Sequence, residues 1–304
     1  KLKLLIAQFC FQDWAYFCAV TKVLYYLILK PISYLPYWVL YGISNIICFV
    51  FYYIVPYRKK VVLTNLSNSF PEKSQLEIKE LCHSFYKHLC DLIVESIKLF
   101  SISKNQIAER FIVNNPEIIQ LYFDQGKDIL IVGGHYNNWE MLAAGIDQQV
   151  PYDTIGLYSK LTNAFFDKKM KESRSAFGLR MVTTKDSFAY FKEEHTTPRM
   201  TIFGADQSPT YSKSVHWTTF LNQDTAVALG TERFAKKYNL PVVYGAINKE
   251  KREHYTLDIS LLTDTPTDTA EGKITELHTK RLEQQILAQP EYWLWTHKRW
   301  KRKR

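Results

Sequence analysis

The most informative part of the sequence is the stretch Asp128-Ile129-Leu130-Ile131-Val132-Gly133-Gly134-His135-Tyr136-Asn137-Asn138-Trp139-Glu140-Met141. It begins as a short apolar run rich in β-branched residues. Two glycines and a histidine follow, and a glutamate then starts a second apolar segment. This order predicts a buried strand, a tight turn and the first turn of a helix. Because α/β proteins bind ligands beyond the carboxyl ends of their strands, we expect functional side chains in this turn.

His135 and Glu140 are the candidate catalytic residues of this stretch. On one continuous helix they would point about 140° apart, whereas a histidine in the turn and a glutamate in the first helical turn can meet. A histidine next to a carboxylate is the usual general base near neutral pH. The two glycines let the backbone approach a substrate closely, and amides at the start of the helix favour developing negative charge. Taken alone, the pair is also compatible with a structural role.

Strands alternate with helices over much of the chain. Strands are predicted at residues 128–132, 154–158, 199–204, 241–247 and 255–261, and helices at residues 140–146, 164–177, 226–238 and 274–288. This alternation predicts an α/β fold with a mostly parallel central sheet flanked by helices. The polar–apolar alternation of residues 255–261 predicts an edge strand with one face in water. A capping box at Ser74-Gln75-Leu76-Glu77 starts a further amphipathic helix, which we expect to end near Phe100 and to pack against the main domain.

The N-terminal region differs from the rest of the chain because residues 31–57 contain no charged side chain. Within it, residues 37–55 would form a helix about 28 Å long, close to the ~30 Å hydrocarbon core of a bilayer. The basic residues 58–60 follow at once, which predicts that this end faces the cytoplasm. Gly42, Ser44 and Asn45 leave a re-entrant or interfacial helix as the alternative. We therefore expect a membrane-associated region at residues 1–60 and a catalytic domain at residues 61–304.

The net charge of +9 is concentrated at the C-terminus. Residues 298–304 hold six positive charges, so the rest of the chain carries only +3. Such a tail suits an anionic membrane surface, although a simply solvated terminal run has the same composition. Nucleic-acid binding is disfavoured, because the core lacks a basic stripe with interleaved aromatic residues.

All five cysteines lie within residues 10–90. Their odd number and their spacing match neither a zinc site nor a disulfide framework, which indicates a reduced, cytosol-facing protein. None is close in sequence to the histidine turn, so a Cys–His nucleophilic site is not expected there. No metal site is predicted.

Four sequence blocks, taken in order, have a family resemblance. They are Gly134-His135-Tyr136-Asn137-Asn138-Trp139-Glu140, Arg174-Ser175-Ala176-Phe177-Gly178, Phe203-Gly204-Ala205-Asp206-Gln207, and Tyr292-Trp293-Leu294-Trp295-Thr296-His297-Lys298-Arg299-Trp300-Lys301. Together they resemble the H-x(4)-[D/E], R-x-x-x-G, D-Q and W-x-H-[R/K]-R-[F/W] blocks of the lipid A biosynthesis (late) acyltransferases, within the lysophospholipid-acyltransferase-like superfamily. The resemblance covers roughly residues 23–302, and residues 1–22 are expected to lie outside it.

This resemblance implies a membrane-bound enzyme that moves a fatty acyl chain from a thioester, on acyl carrier protein or coenzyme A, to a hydroxyl of a lipid A precursor. His135 would take the hydroxyl proton and Glu140 would orient His135, without an acyl-enzyme or a cofactor. The resemblance also implies four substrate-binding residues. Arg174 would bind a phosphate or the developing oxyanion, and Gly134 would let the backbone approach the substrate closely. Asp206 and Gln207 would hold either Arg174 or the acceptor sugar. The expected location is the cytoplasmic face of a bacterial inner membrane.

Three alternatives stay open at the level of sequence. The acceptor could instead be a lysophospholipid or an aminolipid, although the Pro-Glu-Gly-Thr-like loop of the glycerol-phosphate branch is replaced here by Asp206-Gln207-Ser208-Pro209. A non-catalytic membrane lipid-binding protein could keep the same fold. Finally, the C-terminal tryptophans at positions 293, 295 and 300 suit either core anchors or side chains at headgroup depth.

Overall fold

The computed structural model describes residues 20–211 and 214–304 of the chain. Its centre is a seven-stranded sheet in the order β1-β9-β8-β2-β5-β3-β4, accompanied by the separate antiparallel hairpin β6–β7. The strands are β1 Phe111–Val113, β2 Ile129–Gly133, β3 Asp153–Tyr158, β4 Arg180–Thr183, β5 Arg199–Gly204, β6 Val215–Phe220, β7 Gln223–Ala228, β8 Val242–Lys251 and β9 His254–Thr263. All neighbouring pairs in the sheet are parallel except β8–β9.

Helices cover both faces of this sheet. In the described part of the chain the α-helices are α1 Lys30–Ser33, α2 Tyr37–Phe49, α3 Lys59–Ser69, α4 Gln75–Lys98, α5 Lys104–Arg110, α6 Glu117–Asp124, α7 Trp139–Gly145, α8 Ala164–Arg174, α9 Ser187–Tyr190, α10 Gly230–Tyr238 and α11 Lys273–Ala288. Leu130 and Val132 of the central strand β2 point into one hydrophobic core, and Ile129 and Ile131 point into the other. An apolar run without polar alternation is therefore what this strand needs, since both of its faces are buried.

The predicted fold class is confirmed, with a mostly parallel sheet flanked by helices. One detail is wrong: β9, predicted as an edge strand, has β1 paired along its outer side. The predicted helix at residues 226–238 also starts later, at Gly230, because the preceding residues form β7. The sequence pattern missed β1, β4 and both strands of the β6–β7 hairpin. β1 and β4 have only three and four residues, too few for a clear period.

Helix α4 is the long support behind the sheet. Its capping box is present as predicted, with the Ser74 hydroxyl accepting from the Glu77 amide at 3.3 Å and the Glu77 carboxylate accepting from the Ser74 amide at 2.8 Å. Phe85 and Leu89 pack with the C-terminal tryptophans in one core. The expected packing of this helix against the main domain is thus confirmed.

Helix α2 continues through a π-helical turn, Val50–Ile54. Tyr37–Ile54 is the one segment among the described residues that is long and apolar enough to cross a membrane, which by itself is a weak indication. Only 22% of that segment is buried within the protein. Residues 1–19 of the predicted membrane-associated region lie outside the described residues.

Candidate active site

The site lies where two neighbouring parallel strands end. Gly133 of β2 is paired with Gly204 of β5, and the chain continues from these glycines into His135 and Asp206. Parallel pairing brings the two carboxyl ends to the same edge of the sheet, so the two side chains meet there. His135 Nδ1 is 2.6 Å from Asp206 Oδ1. A histidine–carboxylate pair therefore forms, but it joins residues that are distant in sequence.

Asp206 controls the charge state of the imidazole. The Asp206 side chain is only 3% exposed, whereas that of His135 is 26% exposed. Burial alone would lower the pKa of His135, but the charge and hydrogen bond of Asp206 outweigh it and raise that pKa above its usual value. Although burial opposes ionisation of Asp206, His135 and further donors hold the pKa of this carboxyl well below its usual range. Asp206 is therefore a carboxylate, and Nδ1 of His135 is the nitrogen that donates to it.

The other imidazole nitrogen, Nε2, is the one left to act as a base. The amide nitrogen of Gln207 lies 3.4 Å from it, on the open side of the ring. The indole of Trp139 packs edge-on against the imidazole, with ring centroids 5.1 Å apart. These contacts fix the plane of the ring and aim Nε2 toward the side of the site where Gln207 lies.

The second oxygen of Asp206 is held by the C-terminal block. Trp293 is 2% exposed, and its indole Nε1 donates to Asp206 Oδ2 at 2.9 Å. The amide of the next residue, Leu294, donates to the carbonyl of His135 at 3.1 Å. The tryptophans at positions 293, 295 and 300 are all buried in the protein core, as the core-anchor interpretation predicts. Trp293 is therefore a functional candidate, although the sequence analysis considered it only as a core anchor or as a side chain at headgroup depth.

Glu140 is paired with Arg174 rather than with His135. Its oxygens accept two hydrogen bonds from the guanidinium, at 2.7 Å from Nε and 2.5 Å from Nη2. The predicted direct contact between Glu140 and His135 is therefore wrong. Of the two alternatives for Asp206, the structure does not form the contact with Arg174, and the contact with the acceptor sugar stays a prediction. Burial would lower the pKa of Arg174, but the hydrogen bonds and charge of Glu140 raise it. Catalytic roles for His135 and Glu140 remain a prediction.

Two glycines of the four sequence blocks have no room for a side chain, Gly134 beside Asp206 and Gly178 beside Asp147. A Cβ on Gly134 would lie 2.9 Å from the side chain of Leu282 and 3.3 Å from Cβ of Asp206. Gly178, the last residue of the Arg174 block, has φ of +126°, and a Cβ there would collide with the carboxylate of Asp147. Gly134 thus sits against Asp206, while its predicted contact with substrate stays a prediction.

A second histidine, which the sequence reasoning did not single out, holds the loop after Asp206. His297 Nε2 accepts from the backbone amide of Ser208 at 3.0 Å. Burial lowers the pKa of His297 to about 4, so this imidazole is neutral and suited to accepting that bond. The C-terminal block was the available signal, because it contains both Trp293, which donates to Asp206, and His297, which accepts from Ser208. In the described residues, no group of three or more His, Cys, Asp or Glu side chains is arranged to hold a metal ion.

Comparison with known proteins gives this geometry a family. Residues 13–302 match the family model described as bacterial lipid A biosynthesis acyltransferase. The chain belongs to this family. It is also 24% identical over 258 residues to the lipid A biosynthesis lauroyltransferase of Escherichia coli strain K12, covering 80% of this chain and 79% of that protein. The resemblance stated from the four blocks is confirmed, and the match begins ten residues earlier than expected. As a bacterial lipid A biosynthesis acyltransferase, the chain transfers acyl groups in the assembly of lipid A.

Proposed function

We propose that this acyltransferase moves a fatty acyl chain from a thioester, on acyl carrier protein in the first instance, to a hydroxyl of a lipid A precursor. The observation that carries the proposal is the His135–Asp206 pair at the carboxyl ends of β2 and β5, with Nε2 of His135 available as a base. The transfer is direct, because neither a cysteine nor a serine nucleophile is paired with this imidazole among the described hydrogen bonds.

In the proposed reaction, Nε2 of His135 removes the proton from the acceptor hydroxyl as its oxygen attacks the thioester carbonyl. Asp206 keeps Nδ1 protonated and stabilises the imidazolium, as a buried carboxylate does for histidine in other acyl-transfer enzymes. The tetrahedral oxyanion then collapses, the C–S bond breaks, and the imidazolium returns its proton to the departing thiolate. The products are the ester and the free thiol, and the histidine is neutral again.

Glu140 and Arg174 form a fixed ion pair beside this centre in the proposal. The guanidinium uses Nε and Nη2 for Glu140, which leaves the donors on Nη1 for an anionic group of the substrate or for the oxyanion. Glu140 thus acts mainly by presenting Arg174. This role differs from the orienting role expected from sequence, but it keeps both residues in the site.

An apolar groove next to the site suits the acyl chain. The groove has a volume of about 490 Å³ and is lined by Phe51, Tyr57, Arg58, Leu89, Ile93, Leu294, Thr296 and His297. Leu294 also contacts His135 through its backbone amide, so one end of the groove lies beside the catalytic turn. We therefore place the acyl chain between the C-terminal block and helix α4, with its thioester end toward His135.

The N-terminal helices are proposed to hold this site at a membrane surface. Of the 22 large apolar side chains exposed in the described residues, 14 lie within residues 20–57. Ser44 and Tyr41, on the opposite face of α2, are buried and hydrogen bond to α4. A helix with one face docked on the protein and the other apolar favours an interfacial position over an isolated span. The basic residues 58–60 would then meet the cytoplasmic headgroups of the inner membrane.

The test is acyl transfer by purified protein in vesicles. The expected result is loss of the acyl thioester with gain of one acyl group on a lipid A precursor, and near-complete loss of this activity in the His135→Ala variant. Lysophospholipid and aminolipid acceptors are offered in parallel, so transfer to one of these instead would change the proposed acceptor. Binding of lipid without consumption of any thioester would contradict catalysis altogether.

A further inference from the structure

A buried carboxylate, Glu95 of helix α4, connects the N-terminal apolar helix with the catalytic turn. Its side chain is fully buried, yet it has no salt bridge among the described residues. Instead, its two oxygens accept four hydrogen bonds. Oε1 accepts from the Tyr41 hydroxyl at 2.7 Å and the Glu253 amide at 3.1 Å, and Oε2 accepts from the Asn138 amide group and the Tyr255 hydroxyl at 2.7 Å each. A buried carboxylate is costly unless it is fully hydrogen bonded, so these four donors define its position closely.

The contact with Asn138 reaches the catalytic turn directly. Asn138 is the N-cap of helix α7, which begins at Trp139 and carries Glu140. Its side-chain oxygen accepts from the Met141 amide at 2.8 Å, while its side-chain nitrogen donates to Glu95. Both ends of the amide are therefore used, so its orientation is fixed. The cap holds the first turn of α7 to Glu95, and the turn that carries His135 lies immediately before it.

The contact with Tyr41 reaches the apolar helix α2. Tyr41 and Ser44 lie nearly one turn apart on its buried face, and Ser44 donates to Asp91 at 2.8 Å. Asp91 also accepts from Arg252 Nε at 2.9 Å. The helix is thus seated on α4 by two hydroxyl contacts, of which only the Tyr41 contact is shared with the catalytic turn.

We propose that Glu95 is a positioning residue that couples the seating of the apolar helix to the geometry of the catalytic turn. Displacement of α2 would withdraw the Tyr41 hydroxyl, Glu95 would shift toward its remaining donors, and the Asn138 cap would move with it. The proposal rests on the proposed function for the identity of the site. It assigns no substrate contact to Glu95, whose effect on the reaction passes through α7.

The first experiment exchanges the hydrogen-bonding roles of Glu95 and Asn138. In Glu95→Gln alone, an amide nitrogen replaces one of the carboxylate oxygens, so one acceptor of the buried side chain is lost. In Asn138→Asp alone, the new aspartate still caps α7, but its second oxygen faces the carboxylate of Glu95. Each is expected to lower kcat about tenfold or more with little change in KM, because small misplacements of catalytic groups are costly. In the double variant the new glutamine donates to the new aspartate, and the remaining glutamine oxygen faces Tyr41. We expect kcat to recover to within about threefold of wild type.

The second experiment tests whether a change in α2 acts on the catalytic turn through Glu95 or only weakens the packing of α2 on α4. Tyr41→Phe and Ser44→Ala each remove one hydroxyl contact of the same helix, but only Tyr41 reaches Glu95. Tyr41→Phe is expected to lower kcat in vesicles about three- to tenfold, and Ser44→Ala less than twofold. The position of α2 on α4 is monitored by oxidative cross-linking of the native Cys48 of α2 and Cys90 of α4, free cysteines buried in the same hydrophobic core.

Two results would overturn the role of Glu95. The first is a loss of kcat in the double variant that equals the product of the losses in Glu95→Gln and Asn138→Asp. The second is an equal fall in kcat for Tyr41→Phe and Ser44→Ala. If His135→Ala is inactive in the same assay, either result removes the coupling and leaves the proposed function in place. If His135→Ala turns over like wild type, the site itself is misassigned and both proposals fail.

Discussion

Replacing Asp206 with asparagine is the sharpest perturbation of the proposed base. The substitution keeps size and shape, so Trp293 can still donate to the side-chain oxygen. The hydrogen bond lost is a 2.6 Å contact between His135 and a side chain that is 3% exposed. A buried hydrogen bond to a charged group contributes about 1.5–3 kcal/mol, which corresponds to a rate loss of about 10- to 150-fold.

The tautomer adds to this loss. The amide nitrogen of asparagine cannot accept from Nδ1 of His135, so it favours the imidazole with its proton on Nε2, where the base should be. Losses of up to about 10⁴-fold are known when an orienting aspartate becomes asparagine. We therefore expect kcat/KM of Asp206→Asn to fall by about 10²- to 10⁴-fold.

The pH dependence of activity tests the effect of Asp206 on the pKa of His135 independently of the size of the rate loss. Asp206 raises the pKa of His135, and the imidazole must be neutral to act as a base. Activity in the wild type should thus fall as the pH drops through a value above the usual pKa of histidine. Without the carboxylate this pKa falls, so the acidic limb of the residual activity in Asp206→Asn should move to lower pH.

Asp128→Asn is the matched control for this experiment. Asp128 also pairs with a histidine, because its Oδ1 lies 2.9 Å from Nε2 of His195. Asp128 precedes β2, however, so it lies at the amino ends of the strands, whereas the site lies at their carboxyl ends. We expect it to keep turnover within about twofold of wild type when the folded fraction is matched. Steady-state kinetics from pH 5 to 9 measure both variants. An unshifted acidic limb or near-normal kcat/KM in Asp206→Asn would refute the role given to Asp206.

Three further substitutions test other parts of the site. Arg174→Lys replaces a bidentate fork with a single ammonium, so kcat should fall about 10- to 100-fold while the protein still unfolds cooperatively in thermal denaturation. Ile93→Phe narrows the acyl groove and should shift the preferred thioester to a shorter chain in a competition assay; Leu287→Phe, at an exposed position, should not. Trp293→Phe keeps the packing but removes the donor to Asp206, so turnover should drop about tenfold, an outcome that equal activity in the two proteins would contradict.

Much of the fold could be predicted because the central strands are short apolar runs bounded by turn residues. Strand β5 was predicted with its observed bounds, and β2 was predicted one residue early. The short strands β1 and β4 could not be found in this way, because their pairing depends on neighbours supplied by the folded sheet. The same holds for the position of β9, whose polar alternation suggested an edge that β1 in fact covers.

The candidate site was located by sequence, but its internal contacts were not. Proximity in sequence suggested Glu140 as the partner of His135, whereas the strand order places β5 beside β2 and thereby Asp206 beside His135. Sheet order is a property of the tertiary structure, so the spacing of residues 135 and 140 could not reveal it. Trp293 was visible only as part of a block, because its function is to donate to a residue 87 positions earlier.

Mass spectrometry of the lipid product tests most directly whether the His135 centre performs acyl transfer. Purified wild-type and His135→Ala proteins, in vesicles of equal composition, are incubated with acyl carrier protein thioester and a lipid A precursor. We predict that the wild type adds the mass of one acyl group and releases one thiol per ester formed, while His135→Ala adds essentially none. An equal yield of acylated lipid from both proteins, or thiol release without acylated lipid in the wild type, would contradict the proposed reaction.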